Sequence, residues 1–184
     1  ECSLVTGVEL DPVTARIVRL LQPRARILEG DFARTNLPEH FDLAIGNPPF
    51  SDRIVRSDRA YRSLGLRLHD YFLARSIDLL KPGALAAFVT SHSTLDKADK
   101  TAREHIANKA DLVTAIRLPE GSFQQGAGTD VVVDILFFRK RRAGDIEVGR
   151  SWLDLADVCL GADTDGEGRG VVSVNGWFAR HPEM

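Results

Sequence analysis

The residues best suited to chemistry form the turn Asn47-Pro48-Pro49-Phe50, which directly follows the apolar segment 41–46. An exocyclic amino group on a base is a poor nucleophile, because its lone pair is delocalised into the ring. The Asn47 side-chain oxygen and the Pro48 carbonyl can each accept one N–H of such a group, which would direct the nitrogen lone pair at a methyl donor. Pro49 has no N–H that could compete for these acceptors. The turn predicts methyl transfer to an amino nitrogen, and a rigid turn that only closes a strand is the alternative.

Two acidic residues stand at the ends of earlier strand-like segments, where ligands bind in open α/β sheets. Glu9 lies at the end region of the first segment, and its carboxylate can accept hydrogen bonds from both hydroxyls of a ribose while Leu10 packs on an adenine ring. Asp31 follows the next segment and can accept from the adenine amino group, with Phe32 against the ring. Each signal is weak alone. Their order before Asn47 indicates one cofactor site, to which Asn47 also belongs.

Aromatic and basic residues near the turn are candidates for contacting a substrate. Phe50 offers a face on which an extruded base could stack. Phe123, in a Gly-rich loop, could cover the second face of that base or act as a hydrophobic plug. Arg53 and Arg56 begin a series of five arginines that could meet phosphates, although interspersed aspartates favour a solvated loop: Arg53, Arg56, Arg59, Arg62 and Arg67.

Composition restricts the other possibilities. The 184 residues suffice for one well-buried domain with an appendage, and the net charge of −2 gives no global basic field for binding nucleic acid. Two distant cysteines and five scattered histidines predict neither a disulfide framework nor a metal site. We find no apolar run of membrane-spanning length and no signal peptide, so we expect a cytoplasmic protein that contacts no membrane.

The elements that position these residues alternate between strand-like and helix-like segments, which predicts an α/β domain with a largely parallel sheet. We expect strands over 3–10, 26–29, 41–46, 84–90, 112–118 and 131–138, and helices over 12–21, 66–80 and 98–108. Asp11 should cap the first helix, and 81–83 should end the second. Only 119–129 separate the last two strands, which favours an antiparallel return.

The C-terminal part differs in character. We assign 1–142 to the catalytic domain and 143–184 to an extension or linker toward a further domain. Ser151 is expected to cap a short helix that carries Trp152 and Leu155, and 164–170 reads as a linker.

With these motifs in this order, the sequence resembles the N6-adenine DNA methyltransferases. The resemblance implies a Rossmann-like sheet with an antiparallel edge hairpin, S-adenosylmethionine as cofactor and DNA as substrate. It implies that Asn47 to Phe50 are catalytic, that Glu9 with Leu10 binds the cofactor ribose and adenine, and that Asp31 with Phe32 binds the adenine. Segments 118–123, 128–130 and 131–139 resemble type I modification subunits. These segments are even more similar to the methyltransferase half of phage and plasmid helicase–methyltransferase antirestriction proteins. Segment 177–184 also resembles the C-terminal part of that half.

One part of the family pattern is not found. The resemblance implies a first strand with a Gly-rich cofactor loop that precedes Glu1 in the sequence. In the sheet, this strand would lie between the strands that end at Glu9 and Gly46. We therefore expect the catalytic domain to be N-terminally incomplete, possessing reduced or no activity by itself. We also expect covalent linkage to helicase or target-recognition domains in the parent protein.

Other substrates remain open. The turn is shared with methyltransferases that act on RNA guanine N2 or protein glutamine, and an N4-cytosine enzyme more often has Ser at position 47. A C5-cytosine enzyme is excluded, because neither Cys2 nor Cys159 lies beside the turn in sequence. A non-catalytic interaction module of a larger antirestriction protein is the hypothesis from a different class.

Overall fold

The computed structural model describes residues 4–38, 40–122, 132–159 and 170–184. The first half contains β1 (Thr6–Glu9), α1 (Pro12–Leu21), β2 (Arg26–Glu29), β3 (Phe41–Gly46), a 3-10 turn (Arg62–Leu64) and α2 (Leu68–Asp78). The second half contains β4 (Leu80–Ser91), α3 (Ser93–Asp96), α4 (Thr101–Ala107), β5 (Ala110–Arg117) and β6 (Val133–Lys140). A 3-10 turn (Ser151–Leu153), β7 (Leu155–Cys159), β8 (Val171–Asn175) and α5 (Gly176–Arg180) complete the described elements.

The strands form a mixed sheet with the expected antiparallel return. Its order is β3-β4-β6-β5, in which β3 is parallel to β4 and β6 is antiparallel to both neighbours. A separate parallel pair joins β1 to β2, and an antiparallel pair joins β7 to β8. The α/β class and the edge hairpin are therefore confirmed.

The first half follows the local sequence signals closely. Helix α1 has the expected bounds, with Pro12 in its first turn and the Asp11 side chain accepting from the Thr14 N–H at 2.7 Å. Strands β2 and β3 also have the expected bounds, whereas β1 is shorter than predicted.

The boundary between α2 and β4 differs from the prediction. Helix α2 ends at Asp78, and Leu80 already pairs with Phe41, so Lys81-Pro82-Gly83 lies inside the strand instead of ending a helix. The pairing register shifts between Phe41 and Leu43, which leaves this segment as an irregular part of the ladder. Such a bulge tolerates a proline without an N–H and a glycine at φ +85°.

Two further predicted helices differ from the structure because of local contacts. The predicted helix over 98–108 begins only at Thr101, because the Asp99 carboxylate accepts from the Thr101 N–H and hydroxyl. At the C-terminal side, Ser151 opens a 3-10 turn without a side-chain cap at Arg150, and Leu155 belongs to β7 because it pairs with Asn175. The predicted linker over 164–170 lies outside the described residues except for Gly170.

The hydrophobic core lies between the four-stranded sheet and the helices α2 and α4. It includes Tyr71, Leu73 and Ile77 of α2 and Ile106 of α4. Residues from the C-terminal part join the same cluster: Trp152, Leu153 and Phe178. This part is held by polar contacts as well, since Trp177 Nε1 donates to the Ala115 carbonyl at 3.1 Å. The segment after residue 142 is thus packed on the sheet where it is described.

Candidate active site

A cavity of about 550 Å³ lies at the carboxyl ends of β1, β2 and β3. The structure brings most of the predicted site residues to its wall: Glu9, Leu10, Asp31, Phe32, Asn47, Pro48, Pro49 and Arg53. Phe50 belongs to the same turn and is 37 % exposed beside the cavity. Arg56 is not part of the wall, and Phe123 lies outside the described residues.

The end of β1 and the start of α1 form the first wall. Glu9 Oε1 accepts from the Asp11 N–H at 2.9 Å, and the Glu9 carbonyl accepts from the Gly30 N–H at 2.8 Å. These bonds fix the turn that carries the acidic side chain. Leu10 is 69 % exposed, so an apolar surface is available beside the Glu9 carboxylate. A carboxylate next to an exposed aliphatic side chain suits the hydroxyls and base of a nucleoside.

The turn after β2 forms the second wall and is rigid. Asp31 Oδ1 accepts from the Ala33 N–H, and the Asp31 carbonyl accepts from the Thr35 N–H, both at 2.9 Å. The Phe32 ring stacks on Phe72 with ring centroids 4.8 Å apart. Because Phe32 is supported from α2, its position at the cavity wall is set by packing and not by the turn alone.

The turn that contains Asn47 follows β3 and forms the third wall. Pro48 is buried, whereas Asn47 is exposed. No described group of the protein hydrogen-bonds the Asn47 side chain, so its oxygen is available to a ligand. Rigid proline geometry on an anchored strand end is what an acceptor pair needs to hold a ligand N–H group in place.

The loop after this turn closes the cavity from the side. Arg53, Val55 and Ser57 line it, and the Val55 N–H donates to the Leu66 carbonyl at 3.0 Å. Arg67, immediately before α2, forms an ion pair with Asp52 at 2.7 Å. The base of the loop is therefore tied to the start of α2.

The five predicted arginines differ in their contacts and in their position relative to the cavity. The Arg62 Nε donates to the Arg56 carbonyl at 3.1 Å, and Arg67 is paired with Asp52. Arg53 alone among the five lines the cavity. It is the arginine best placed to contact an anionic group at the cavity.

Residues of α2 and β4 complete the site and were not found from the sequence. Phe88 of β4 lines the cavity beside Gly46, and Tyr71, Phe72 and Arg75 of α2 support Phe32. Burial and the hydrogen bond to Asp58 raise the pKa of the Tyr71 hydroxyl, which stays neutral. The adjacent aromatic residues at 71 and 72 were the feature of the sequence that could have indicated this role, because they lie on the helix that follows the site residues.

The cavity also separates two strand edges. Strand β1 pairs with β2 and β3 pairs with β4, and within the described ranges neither has a partner on its other side. Residues 6–9 and 43–46 both line the cavity. This is the position at which the family resemblance places an additional strand.

The segments that line the cavity fall within the part of the sequence that matches a protein family. Residues 7–123, more than half of the chain, match the Eco57I restriction-modification methylase family. The chain belongs to this family. The predicted relationship to restriction-modification methyltransferases is therefore confirmed.

Proteins similar to this chain agree with the predicted resemblances. The chain is 30 % identical to the Defense against restriction protein B of Escherichia phage P1 over 85 % of its own length but 7 % of the phage protein. The EcoKI M protein of a type I restriction enzyme superposes with a TM-score of 0.59 at 24 % identity, over 77 % of this chain and 32 % of that one.

A further solved structure has a similar fold. A Listeria monocytogenes protein assigned as a class I S-adenosylmethionine-dependent methyltransferase superposes with a TM-score of 0.66 at 19 % identity, over 80 % of this chain and 47 % of that one. This chain thus spans less than half of each of these three proteins. The superpositions confirm a Rossmann-like methyltransferase fold.

The described part of the chain has neither a metal-binding cluster nor a membrane-spanning helix. There, no three His, Cys, Asp or Glu side chains are grouped so that they could hold a metal ion. None of the described helices has the length and apolar character required to cross a bilayer. The described polar and aromatic groups of the cavity wall include carboxylates, aromatic rings, the Asn47 amide and the Arg53 guanidinium.

Proposed function

We propose that this protein transfers a methyl group from S-adenosylmethionine to N6 of an adenine that is flipped out of DNA. The observation that carries the proposal is the cavity itself. Its wall includes Asn47, which follows β3 and whose side chain has no described hydrogen-bond partner, together with the carboxylates of Glu9 and Asp31 at the ends of β1 and β2.

The residues present fit the proposed cofactor. The Glu9 carboxylate can accept from two ribose hydroxyls, and Leu10 and Phe32 supply apolar surface for an adenine ring. Asp31 stands next to Phe32, where its carboxylate can accept from the adenine amino group. When bound, S-adenosylmethionine supplies an activated methyl group, so the protein needs no nucleophile of its own.

The target base would be held by the turn after β3. Asn47 Oδ1 and the Pro48 carbonyl accept the two N–H groups of N6, which directs the nitrogen lone pair toward the cofactor side of the cavity. Phe50 stacks on the extruded ring, a contact that contributes about 1–3 kcal/mol. Arg53 would meet a backbone phosphate next to the flipped nucleotide. Transfer would be direct, with no covalent intermediate: the methyl–sulfur bond would break as the methyl–N6 bond forms, S-adenosylhomocysteine would leave, and N6 would lose one proton to solvent.

The parent protein supplies sequence recognition in this proposal. The net charge of −2 gives the chain no general affinity for a polyanion, and the phage relative is far longer than this chain. We therefore place target recognition in further covalently linked domains, with DNA as the substrate.

The product identifies the substrate class directly. DNA incubated with the full-length protein and S-adenosylmethionine is hydrolysed to nucleosides, and we expect N6-methyladenine that is absent when Asn47→Ala replaces the wild type. The Asp42→Asn variant is the control. Asp42 lies on β3 outside the cavity wall, and its substitution breaks only an exposed ion pair with Lys81. Methylated cytosine, or label found only in RNA or protein, would contradict the proposal.

A further inference from the structure

Two walls of the cavity meet at one guanidinium group, that of Arg75. Its NH1 donates to the Phe32 carbonyl, and its NH2 donates to the Thr35 carbonyl at 2.7 Å. The guanidinium carbon also lies 4.8 Å from the centroid of the Phe32 ring. Arg75 thus holds both the backbone and the ring of the turn after β2, although it stands on α2.

The same group reaches the loop that follows the Asn47 turn. Arg75 NH1 lies 3.4 Å from Asp58 Oδ2, and the two side chains are only 12 % and 15 % exposed. The Tyr71 hydroxyl joins them, since it accepts from Arg75 NH1 at 2.8 Å and donates to Asp58 Oδ2 at 2.7 Å. Partial burial makes these charge-assisted bonds stronger than exposed ones.

Asp58 in turn anchors the loop that closes the cavity. Its Oδ1 accepts from the Ala60 N–H at 3.0 Å, and its carbonyl accepts from the Tyr61 N–H. Arg53, Val55 and Ser57, just before Asp58, line the cavity. A displacement of Arg75 therefore acts on the loop beside the target base as well as on Phe32.

We propose that Arg75 is a positioning residue that couples the cofactor wall, 31–35, to the substrate loop, 52–66. This inference rests on the proposed function and adds a role that it does not require. Methyl transfer needs the two reacting atoms to be held in near-attack geometry, and a misplacement of about 1 Å can cost about a hundredfold in rate. A planar fork that bonds both walls fixes their separation, which the flexible ammonium group of a lysine cannot do.

Amide hydrogen exchange on the full-length protein tests the coupling without DNA. The reporters are the N–H groups of Thr35, bonded to the Asp31 carbonyl, and Val55, bonded to the Leu66 carbonyl. Neither N–H group bonds residue 58 or 75, but the Thr35 carbonyl accepts from Arg75, so Asp58→Asn is the decisive variant for the Thr35 reporter. Without ligand, Asp58→Asn should speed exchange at both reporters at least fivefold, and Arg75→Lys should do the same. Asp42→Asn, the control at an exposed pair, should leave both within twofold of wild type.

Ligand addition separates coupling from a general loss of stability. S-adenosylmethionine should slow exchange at Thr35 in every variant, but at Val55 only in the wild type and Asp42→Asn. Acceleration at Val55 alone in unliganded Asp58→Asn, or equal slowing at Val55 in that variant and the wild type, would overturn the proposal.

The outcome is distinguishable from failure of the proposed function. If the unliganded reporters respond together but no N6-methyladenine is formed, the coupling stands and the substrate assignment fails. If N6-methyladenine is formed while the reporters respond independently, the substrate assignment stands and Arg75 has no coupling role.

Discussion

Gly46 lies directly beneath the ring of Phe88, its partner in the β3–β4 ladder. A β-carbon at Gly46 would be 2.6 Å from Cε1 of Phe88 and 3.1 Å from Cδ1. Both residues line the cavity, and Gly46 immediately precedes Asn47. The absence of a side chain at Gly46 is therefore what lets an aromatic ring fill the space behind the Asn47 turn.

Gly46→Ala should both destabilise the protein and misplace Asn47. Overpacking of this kind costs about 1–3 kcal/mol, because the ring must leave its rotamer or β3 must shift. We expect a loss in that range in urea unfolding and a fall in kcat for methyl transfer of about tenfold or more. The double variant Gly46→Ala/Phe88→Leu should recover much of kcat. A double variant as slow as the single one would show that the ring contact is not the cause.

Asn47→Ala should remove methyl transfer while leaving the fold and cofactor binding nearly unchanged. The side chain is exposed at the cavity, with no described protein partner to lose, and its proposed bond strengthens only as the amino nitrogen becomes tetrahedral. Transfer of a labelled methyl group to DNA by the full-length variant provides the measurement, with titration calorimetry for S-adenosylmethionine. A rate above about a tenth of wild type would argue against a catalytic role for Asn47.

The Asp78 carboxylate should contribute to acid stability in a defined range of pH. Burial tends to raise its pKa, but hydrogen bonds from His105, Lys109 and Tyr61 outweigh burial and lower the pKa to about 2, from 3.8. A lowered pKa in the folded state stabilises the fold above the unfolded pKa, by about 2 kcal/mol here, and that contribution is lost as the pH falls through about 2.

Urea unfolding at several pH values tests this contribution. The stability difference between wild type and Asp78→Asn should be largest above about pH 4 and should shrink between about pH 4 and pH 2. Asp42→Asn, which breaks an exposed pair with Lys81, should show no comparable dependence. A difference between wild type and Asp78→Asn that stays constant with pH would contradict the assignment.

Asn175 should be essential for attaching the C-terminal part to the sheet domain. Its buried amide nitrogen donates to the Leu95 carbonyl at 2.9 Å and to the Trp152 carbonyl at 2.8 Å, and its oxygen caps α5 at the Trp177 N–H. Asn175→Ala leaves two buried carbonyls without a donor, at about 1–3 kcal/mol each.

Thermal and urea unfolding should therefore show a loss of about 3 kcal/mol for Asn175→Ala. Asn108→Ala, at the exposed end of α4, is the matched control and should change stability by less than about 0.5 kcal/mol. A separate early unfolding transition of 143–184, with the remaining domain unaffected, would instead show that this part is an independent unit.

The sequence alone was sufficient for the features that depend on neighbouring residues. The strand ends at Glu29 and Gly46 follow from short apolar segments closed by polar or proline-rich turns, and Asp11 with Pro12 determines where α1 begins. Strand β1 was located as well, although it is shorter than predicted. Because the carboxyl ends of parallel strands meet at one edge, the order of the three turns also predicted that their residues would line one cavity.

Only the tertiary structure decided features that depend on residues far apart in the chain. Leu80 became part of a strand because Phe41 pairs with it, although the local pattern continued a helix. The C-terminal part joined the core because Trp152 and Phe178 pack into it, a contact that composition does not reveal.

The contacts that support Phe32 and the space beside Gly46 could likewise not be predicted from the sequence. Arg75 is 43 residues from Phe32 in sequence, and nothing local distinguishes it from a solvated helix arginine. Phe88 meets Gly46 only through the β3–β4 register. The sequence thus determined which groups could do the chemistry. The packing of α2 and β4 decided how those groups are held, because it depends on contacts that form only when distant segments are brought together.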